Sequence, residues 1–183
     1  VAEATRAFEE YDYTHACDAA ETFFWSFCDD YLELVKARAY GEEEGISLEA
    51  TASARRTLRI ALDVQLRLLA PFLPFVTEEV WSWWRPGSIH RATWPSVDEL
   101  TDAADDDATL RAAAHVLGQI RRTKTEAKVG MRAPVARVDV CESEETVAHL
   151  MQVTDDLVRA GSVGSLNVTV GEPSIAVELA ASE

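Results

Sequence analysis

The chain has 183 residues, a formal net charge of −15 and 48% hydrophobic residues. This hydrophobic content excludes general disorder, and the length allows one large domain or two small ones. The negative charge argues against indiscriminate nucleic-acid binding. No apolar run approaches the roughly 20 residues of a membrane helix, so we expect no membrane contact.

The cysteines and histidines indicate the cellular compartment of the protein and its capacity to bind metal ions. The chain has three cysteines without a CxxC pair and four scattered histidines. This pattern predicts reduced thiols in the cytoplasm and no zinc site. The sequence begins at Val1 without an initiator methionine or a signal region, which predicts a fragment of a longer protein.

Two amphipathic helices are predicted in the first part of the chain. Apolar residues recur every three or four positions over residues 13–39, and Gly41 and Gly45 then interrupt the pattern. Ser47 is placed to cap a second helix that ends near Ala70. A polar stripe along this helix contains Arg56, Arg59, Asp63 and Arg67.

The stretch "PFLPFVTEEVW" predicts a corner between helices. Pro71 and Pro74 cannot donate helical hydrogen bonds, so the preceding helix has to end. Thr77 is the expected N-cap of a short helix over residues 77–84. The side chains expected to fill the corner are Phe72, Leu73, Phe75 and Val76.

An acidic stretch precedes a predicted helix over residues 104–128. The segment 111–137 carries a net charge of +6. One interpretation is that these cations complement the C-terminal end of the helix, and the other is a polyanion-binding patch. The cations at its end are Arg121, Arg122, Lys124 and Lys128.

After Pro134 the spacing of apolar residues changes from that of a helix. "VARVDV" alternates like a strand, the segment before Gly161 is predicted to be one helix, and "SLNVTVGEPSIAVEL" predicts two short strands. The fold class is therefore mainly α: a helical bundle over 1–130, followed by a small α+β unit over 134–183.

Motifs of catalytic or nucleotide-binding sites are missing from this sequence. It has no nucleotide-binding glycine loop, GxSxG elbow or HExxH pair. Asp29, Asp30 and Glu33 cluster on one helix, but no base–nucleophile arrangement accompanies them. The sequence predicts a helical scaffold without a catalytic site or bound cofactor of its own.

Three segments, taken in order, resemble one family. They are "FFWSFCDDYLELVK", "LRLLAPFLPFVTEEVW" and "GSIHRATWP". Together they resemble the C-terminal region of valyl-tRNA synthetases, class I aminoacyl-tRNA synthetases of the isoleucine, leucine and valine group. The residues that carry the resemblance include Phe27, Tyr31, Pro71, Phe72, Pro74, Phe75, Thr77, Trp81 and Trp94.

The resemblance implies a helix-bundle domain that binds the anticodon arm of tRNA(Val). It also implies a monomeric cytoplasmic parent enzyme that uses ATP and magnesium. The catalytic domain with its HIGH and KMSKS signatures and the editing domain are absent from this sequence, so we expect this chain not to activate valine. A terminal coiled-coil arm is also absent, either trimmed or missing from this lineage.

We expect the cations of two helices to contact RNA and the aromatic motif residues to set the angle between helices. The alternatives are the same domain from an isoleucyl- or leucyl-tRNA synthetase and a stand-alone helical protein-interaction module. The predicted RNA contacts are Arg55, Arg56, Arg59, Arg67, Arg121, Arg122, Lys124 and Lys128.

Overall fold

The computed structural model describes residues 1–100 and 107–181. The architecture is mainly helical with a small three-stranded sheet, as the sequence predicts. The chain divides into two compact units. The first comprises Val1–Cys28 and Arg55–Ala104, and the second comprises Asp29–Ala54 and Asp105–Glu183.

The first unit is built from helices with small residues at their contacts. It contains α1 (Ala2–Glu9), α2 (Tyr13–Ser26), the second part of α4 (Leu48–Leu69) and α5 (Pro74–Ser82). Alanines at the contacts allow close approach of the helix backbones, and aliphatic residues of α4 fill the space between them. One buried cluster consists of Ala4, Ala20, Val64 and Leu68, and another of Leu66, Ala70, Trp81 and Ile89.

Aromatic contacts connect α1 to the segments that follow α4 and α5. The ring centroid of Phe8 lies 5.6 Å from that of Phe72 and 5.0 Å from that of Trp94. Trp94 Nε1 donates a hydrogen bond of 2.8 Å to Thr5 Oγ1. The indole therefore has an apolar neighbour and a polar partner, as a half-buried tryptophan requires.

The corner after α4 differs from the prediction in its helix start. Helix α5 begins at Pro74, because a proline in the first turn lacks only an N–H that would have no helical partner. Thr77 lies inside this helix, where its Oγ1 donates to the Leu73 carbonyl at 2.8 Å, so its prediction as N-cap is wrong.

The prediction that four apolar side chains fill this corner is also wrong. Phe75 is 89% exposed, and Leu73 and Val76 are about half exposed. The earlier helix start places Thr77 and Trp81, four residues apart, on the inner face, and this turns Phe75 outward. Phe72 is half-buried.

The predicted helix over 13–39 is present, but with a change of hydrogen-bond pattern. A π-helical segment, Phe27–Leu32, joins α2 to α3 (Glu33–Tyr40). Gly41 ends α3 with a φ of +69°, and a Cβ there would meet Thr51 Oγ1 at 2.7 Å. The predicted cap of α4 is confirmed, because Ser47 Oγ accepts from the Ala50 N–H at 3.1 Å.

The sheet of the second unit has the order β2-β1-β3. Its strands are β1 (Val135–Glu142), β2 (Val163–Val170) and β3 (Ser174–Leu179). β1 pairs in parallel with β2 and antiparallel with β3, so β2 and β3 flank β1 although they are neighbours in sequence. The buried face of β1 carries Val138 and Val140.

The predicted single helix before Gly161 is two helices, α7 (Glu144–Met151) and α8 (Thr154–Gly161). The helical pattern tightens at their junction, since the N–H of Gln152 donates to His149 O and that of Val153 to Leu150 O. Thr154 Oγ1 also donates to the Leu150 carbonyl, at 3.2 Å. These short-range bonds end α7.

Helix α6 (Ala108–Glu126) is fully described, whereas the predicted start at residue 104 lies outside the described residues. Its Val116, Leu117 and Ile120 are buried, and the helix contacts α7, α8 and β3. Contacts therefore group α6 with the sheet. The division into domains over 1–130 and 134–183 stays a prediction.

Candidate nucleic-acid interface

The first unit exposes a row of arginines on α4. Arg55, Arg56 and Arg59 are exposed, and Arg55 and Arg59 are separated by four residues, which is one turn of the helix. Burial of the aliphatic face of α4, with Val64 and Leu68 in the core, sets the rotation of this helix and leaves the three arginines exposed.

Arg67 lies further along α4 but is 8% exposed. Its guanidinium group forms a bidentate salt bridge with Glu99, with N–O distances of 3.1 and 2.7 Å, and an ion pair with Asp63 at 2.8 Å. Hydrogen bonds from Arg67 and from the Ser96 backbone N–H lower the pKa of Glu99 to about 2. Because its donors serve this internal network, we remove Arg67 from the predicted RNA contacts.

Arg85, which was not among the predicted RNA contacts, lies beside this network. Arg85 Nε donates to Asp63 Oδ1 at 3.1 Å, and its Cζ lies 4.9 Å from the ring centroid of Trp84 and 5.5 Å from that of Trp81. Arg59 Cζ lies 5.2 Å from the centroid of Trp84. The sequence signal was "WWRPG", in which an arginine directly follows a tryptophan pair.

The second unit carries the cations at the end of α6. Arg122 is exposed and its Nε forms an i,i+4 ion pair with Glu126 at 2.9 Å. Arg121 is half-buried, with Nη1 4.0 Å from Asp30 Oδ1, and Lys128 is exposed. Arg132, which was not predicted, is also exposed on the segment after α6.

Lys124 is in the same basic cluster of the sequence but is buried. The side chain is 1% exposed, and its Nζ donates to the carbonyls of Met131 and Gly161, both at 2.8 Å. Burial lowers the pKa of Lys124. We therefore remove Lys124 from the predicted RNA contacts, because its ammonium group binds two backbone carbonyls inside the unit.

The structure thus groups the predicted cations into two sets, one in each unit. Arg55, Arg56 and Arg59 share a stripe of α4 in the first unit. The remaining candidates, Arg121, Arg122 and Lys128, lie at or just beyond the end of α6 in the second unit.

The aromatic motif residues have different surroundings. Trp81 is buried in the first unit, and Phe27 is half-buried with its ring centroid 6.0 Å from that of Phe23. Tyr31 is also half-buried. Trp83 is 70% exposed, and its Nε1 donates to Glu79 Oε1 at 3.2 Å.

Within 1–100 and 107–181, no group of three or more His, Cys, Asp or Glu side chains is arranged to hold a metal ion. No described helix combines the length and apolar composition needed to cross a membrane.

Known proteins resemble this chain along nearly its full length. Valine–tRNA ligase from Thermobifida fusca is 52% identical over 188 aligned residues, which cover 100% of this chain and 21% of that protein. The enzymes named valine–tRNA ligase from Cutibacterium acnes and Salinispora arenicola are 46% and 44% identical, over 97% and 98% of this chain.

The chain spans about a fifth of the length of these relatives. A sequence model described as "Anticodon-binding domain of tRNA ligase" matches residues 1–140. The match includes the proline corner and the exposed arginine row of α4, and it reaches into β1. This chain belongs to the family of anticodon-binding domains of tRNA ligases.

Proposed function

We propose that this chain binds the anticodon arm of tRNA(Val) as part of a valine–tRNA ligase. The observation that carries the proposal is the exposure of cations on α4 and at the end of α6, in a chain with a net charge of −15. An acidic remainder repels RNA elsewhere, so binding concentrates at the cationic surfaces.

The proposed contacts divide by chemistry. Phosphate groups are bound by arginine and lysine, whereas unstacked bases of a loop need aromatic or guanidinium planes and edge hydrogen bonds. The exposed cations Arg55, Arg56, Arg59, Arg122 and Lys128 serve the first role, together with the half-buried Arg121.

The parent protein is proposed to attach valine to tRNA(Val) with ATP and magnesium. Its catalytic and editing domains are proposed to lie on the same polypeptide, in a monomeric cytoplasmic enzyme. The names and lengths of the relatives support this assignment, because each is a valine–tRNA ligase about five times as long as this chain.

The test is titration of labelled tRNA(Val) with the purified chain between about 50 and 200 mM salt. We expect weak binding whose affinity falls steeply as salt rises, because phosphate contacts release counterions. Competition with unlabelled tRNA(Val), tRNA(Ile) and tRNA(Leu) identifies the cognate RNA. Absence of binding at low salt, or stronger competition by another tRNA, would contradict the proposal.

A further inference from the structure

Three positive side chains and two negative ones form a compact cluster in the first unit. Asp63 accepts from both Arg67 and Arg85, and Glu99 binds Arg67 through both of its carboxylate oxygens. These two acids balance the charges of Arg67 and Arg85. Within residues 1–100 and 107–181, Arg59 has no carboxylate within ion-pairing distance, so the cluster keeps one positive charge there.

Arg59 is exposed, and its guanidinium group lies over an indole ring. Its Cζ lies 5.2 Å from the centroid of Trp84, and Arg85 Cζ lies 4.9 Å from the same centroid. Stacking on an indole restricts a flexible arginine while leaving its N–H edge free to donate. Less conformational entropy is therefore lost when an anion binds.

A cavity of about 220 Å³ opens beside this group. It is lined by Arg59, Asp63, Arg67, Arg85 and Glu99 together with apolar residues of α4 and Leu100. The guanidinium carbons of Arg59 and Arg85 both lie over the ring of Trp84, so the exposed Arg59 offers a ligand the N–H donors of its guanidinium group. The fork of these donors matches the geometry of a phosphate group.

We propose that Arg59, stacked on Trp84 beside Arg85, contacts a phosphodiester group of the RNA strand bound by this domain. This rests on the proposed function, and it identifies one contact of the first unit. The contact is to the backbone, so it adds affinity without reading the base sequence. Its strength depends on the planar stacked guanidinium group as well as on its charge.

The experiment compares RNA binding by the wild-type chain with that by R59Q, R59K and R6Q. Arg6 is the matched control, because it is an exposed arginine of the same unit that lies on α1 in an acidic segment. We expect R59Q to weaken binding of tRNA(Val) about five- to tenfold at low salt. We also expect it to reduce the slope of log affinity against log salt by about 0.7 to 0.9.

The expected result for R6Q is a change of less than about twofold. R59K retains the charge but loses the stacked plane, so its affinity should fall between those of wild type and R59Q. Wild-type affinity in R59K would overturn the role of stacking. Circular dichroism and urea unfolding verify that each variant is folded.

The remaining outcomes separate this inference from the proposed function. If wild type binds no RNA, the proposed function fails; if it binds RNA and R59Q matches R6Q, only the Arg59 contact is overturned. A loss confined to one tRNA would indicate base reading and contradict a phosphate contact. Competition by polyglutamate as strong as that by RNA would assign the site to acidic proteins instead.

Discussion

At the scale of single residues, Lys124 shows how one side chain can have a structural role inside a basic segment. Its ammonium group links the end of α6 to the Met131 carbonyl and to the Gly161 carbonyl at the end of α8. Carbonyls at helix ends and in loops need donors when they are buried. The neighbouring Lys128 is exposed, although it belongs to the same run of cations.

Replacing these two lysines one at a time separates the two roles. We expect K124M to lower the free energy of unfolding by about 1–3 kcal/mol, because two carbonyls lose their donor. K128M should change it by less than about 0.5 kcal/mol, since the side chain is exposed. Urea unfolding measures both values, and equal stability of the two variants would contradict the internal role of Lys124.

The pKa of Lys124 predicts how the difference in stability between wild type and K124M depends on pH. Burial lowers this pKa below its ordinary 10.5, so between the folded value and 10.5 the unfolded state binds more protons. The stability of wild type relative to K124M should therefore increase as pH rises through that window. A difference that shrinks with rising pH would contradict a buried ammonium group.

The two predicted RNA contacts that proved buried show what the sequence could and could not predict. Lys124 follows Leu117 and Ile120 at helical spacing, so its position on the inward face was available from the period alone. Arg67 was different. Its partner Glu99 is 32 positions away, and only the fold brings the two together.

At the scale of elements, the corner after α4 depends on one of two adjacent glutamates. Glu78 Oε2 accepts from Ser88 Oγ and from the Ile89 N–H, both at 2.9 Å, and so fastens the following loop to α5. Glu79 is exposed, and its carboxylate accepts a hydrogen bond from the exposed Trp83 indole. The motif "TEE" therefore contains a buried threonine, a half-buried glutamate that binds the following loop, and an exposed glutamate.

Alanine at each glutamate tests this difference. We expect E78A to reduce the free energy of unfolding by about 1–3 kcal/mol, because the buried Ile89 N–H loses its acceptor. E79A is the control and should stay within about 0.5 kcal/mol of wild type. Thermal and urea unfolding give both values. Similar losses of stability in the two variants would contradict a specific role of Glu78 in binding the loop.

Local pattern predicted the elements better than their interruptions. The period-3.6 stripes predicted α2 with α3, α4 and α6, because burial of one helix face repeats along the sequence. The break between α7 and α8 depends instead on competing hydrogen bonds near Val153. The placement of β1 between β2 and β3 depends on pairing between distant segments, which alternation cannot encode.

At the scale of the whole molecule, added salt should act on folding and on RNA binding in opposite directions, because the chain combines a net charge of −15 with exposed cations. Repulsion among many like charges destabilises the compact state, and salt screens it. Attraction between exposed cations and phosphate groups is also screened, so it weakens under the same change. A change in salt concentration therefore tests both the stability of the fold and the affinity for RNA.

We expect potassium chloride, raised from about 0.05 to 1 M, to increase the midpoint of thermal unfolding by about 2–4 °C, corresponding to roughly 1 kcal/mol. Over the same range, affinity for tRNA should fall. Replacing the exposed Glu42 and Glu44 by glutamine removes two negative charges, so the salt-dependent gain in that variant should be smaller. A midpoint that falls with salt would show that attractive ion pairs, such as those around Asp63, outweigh the repulsion.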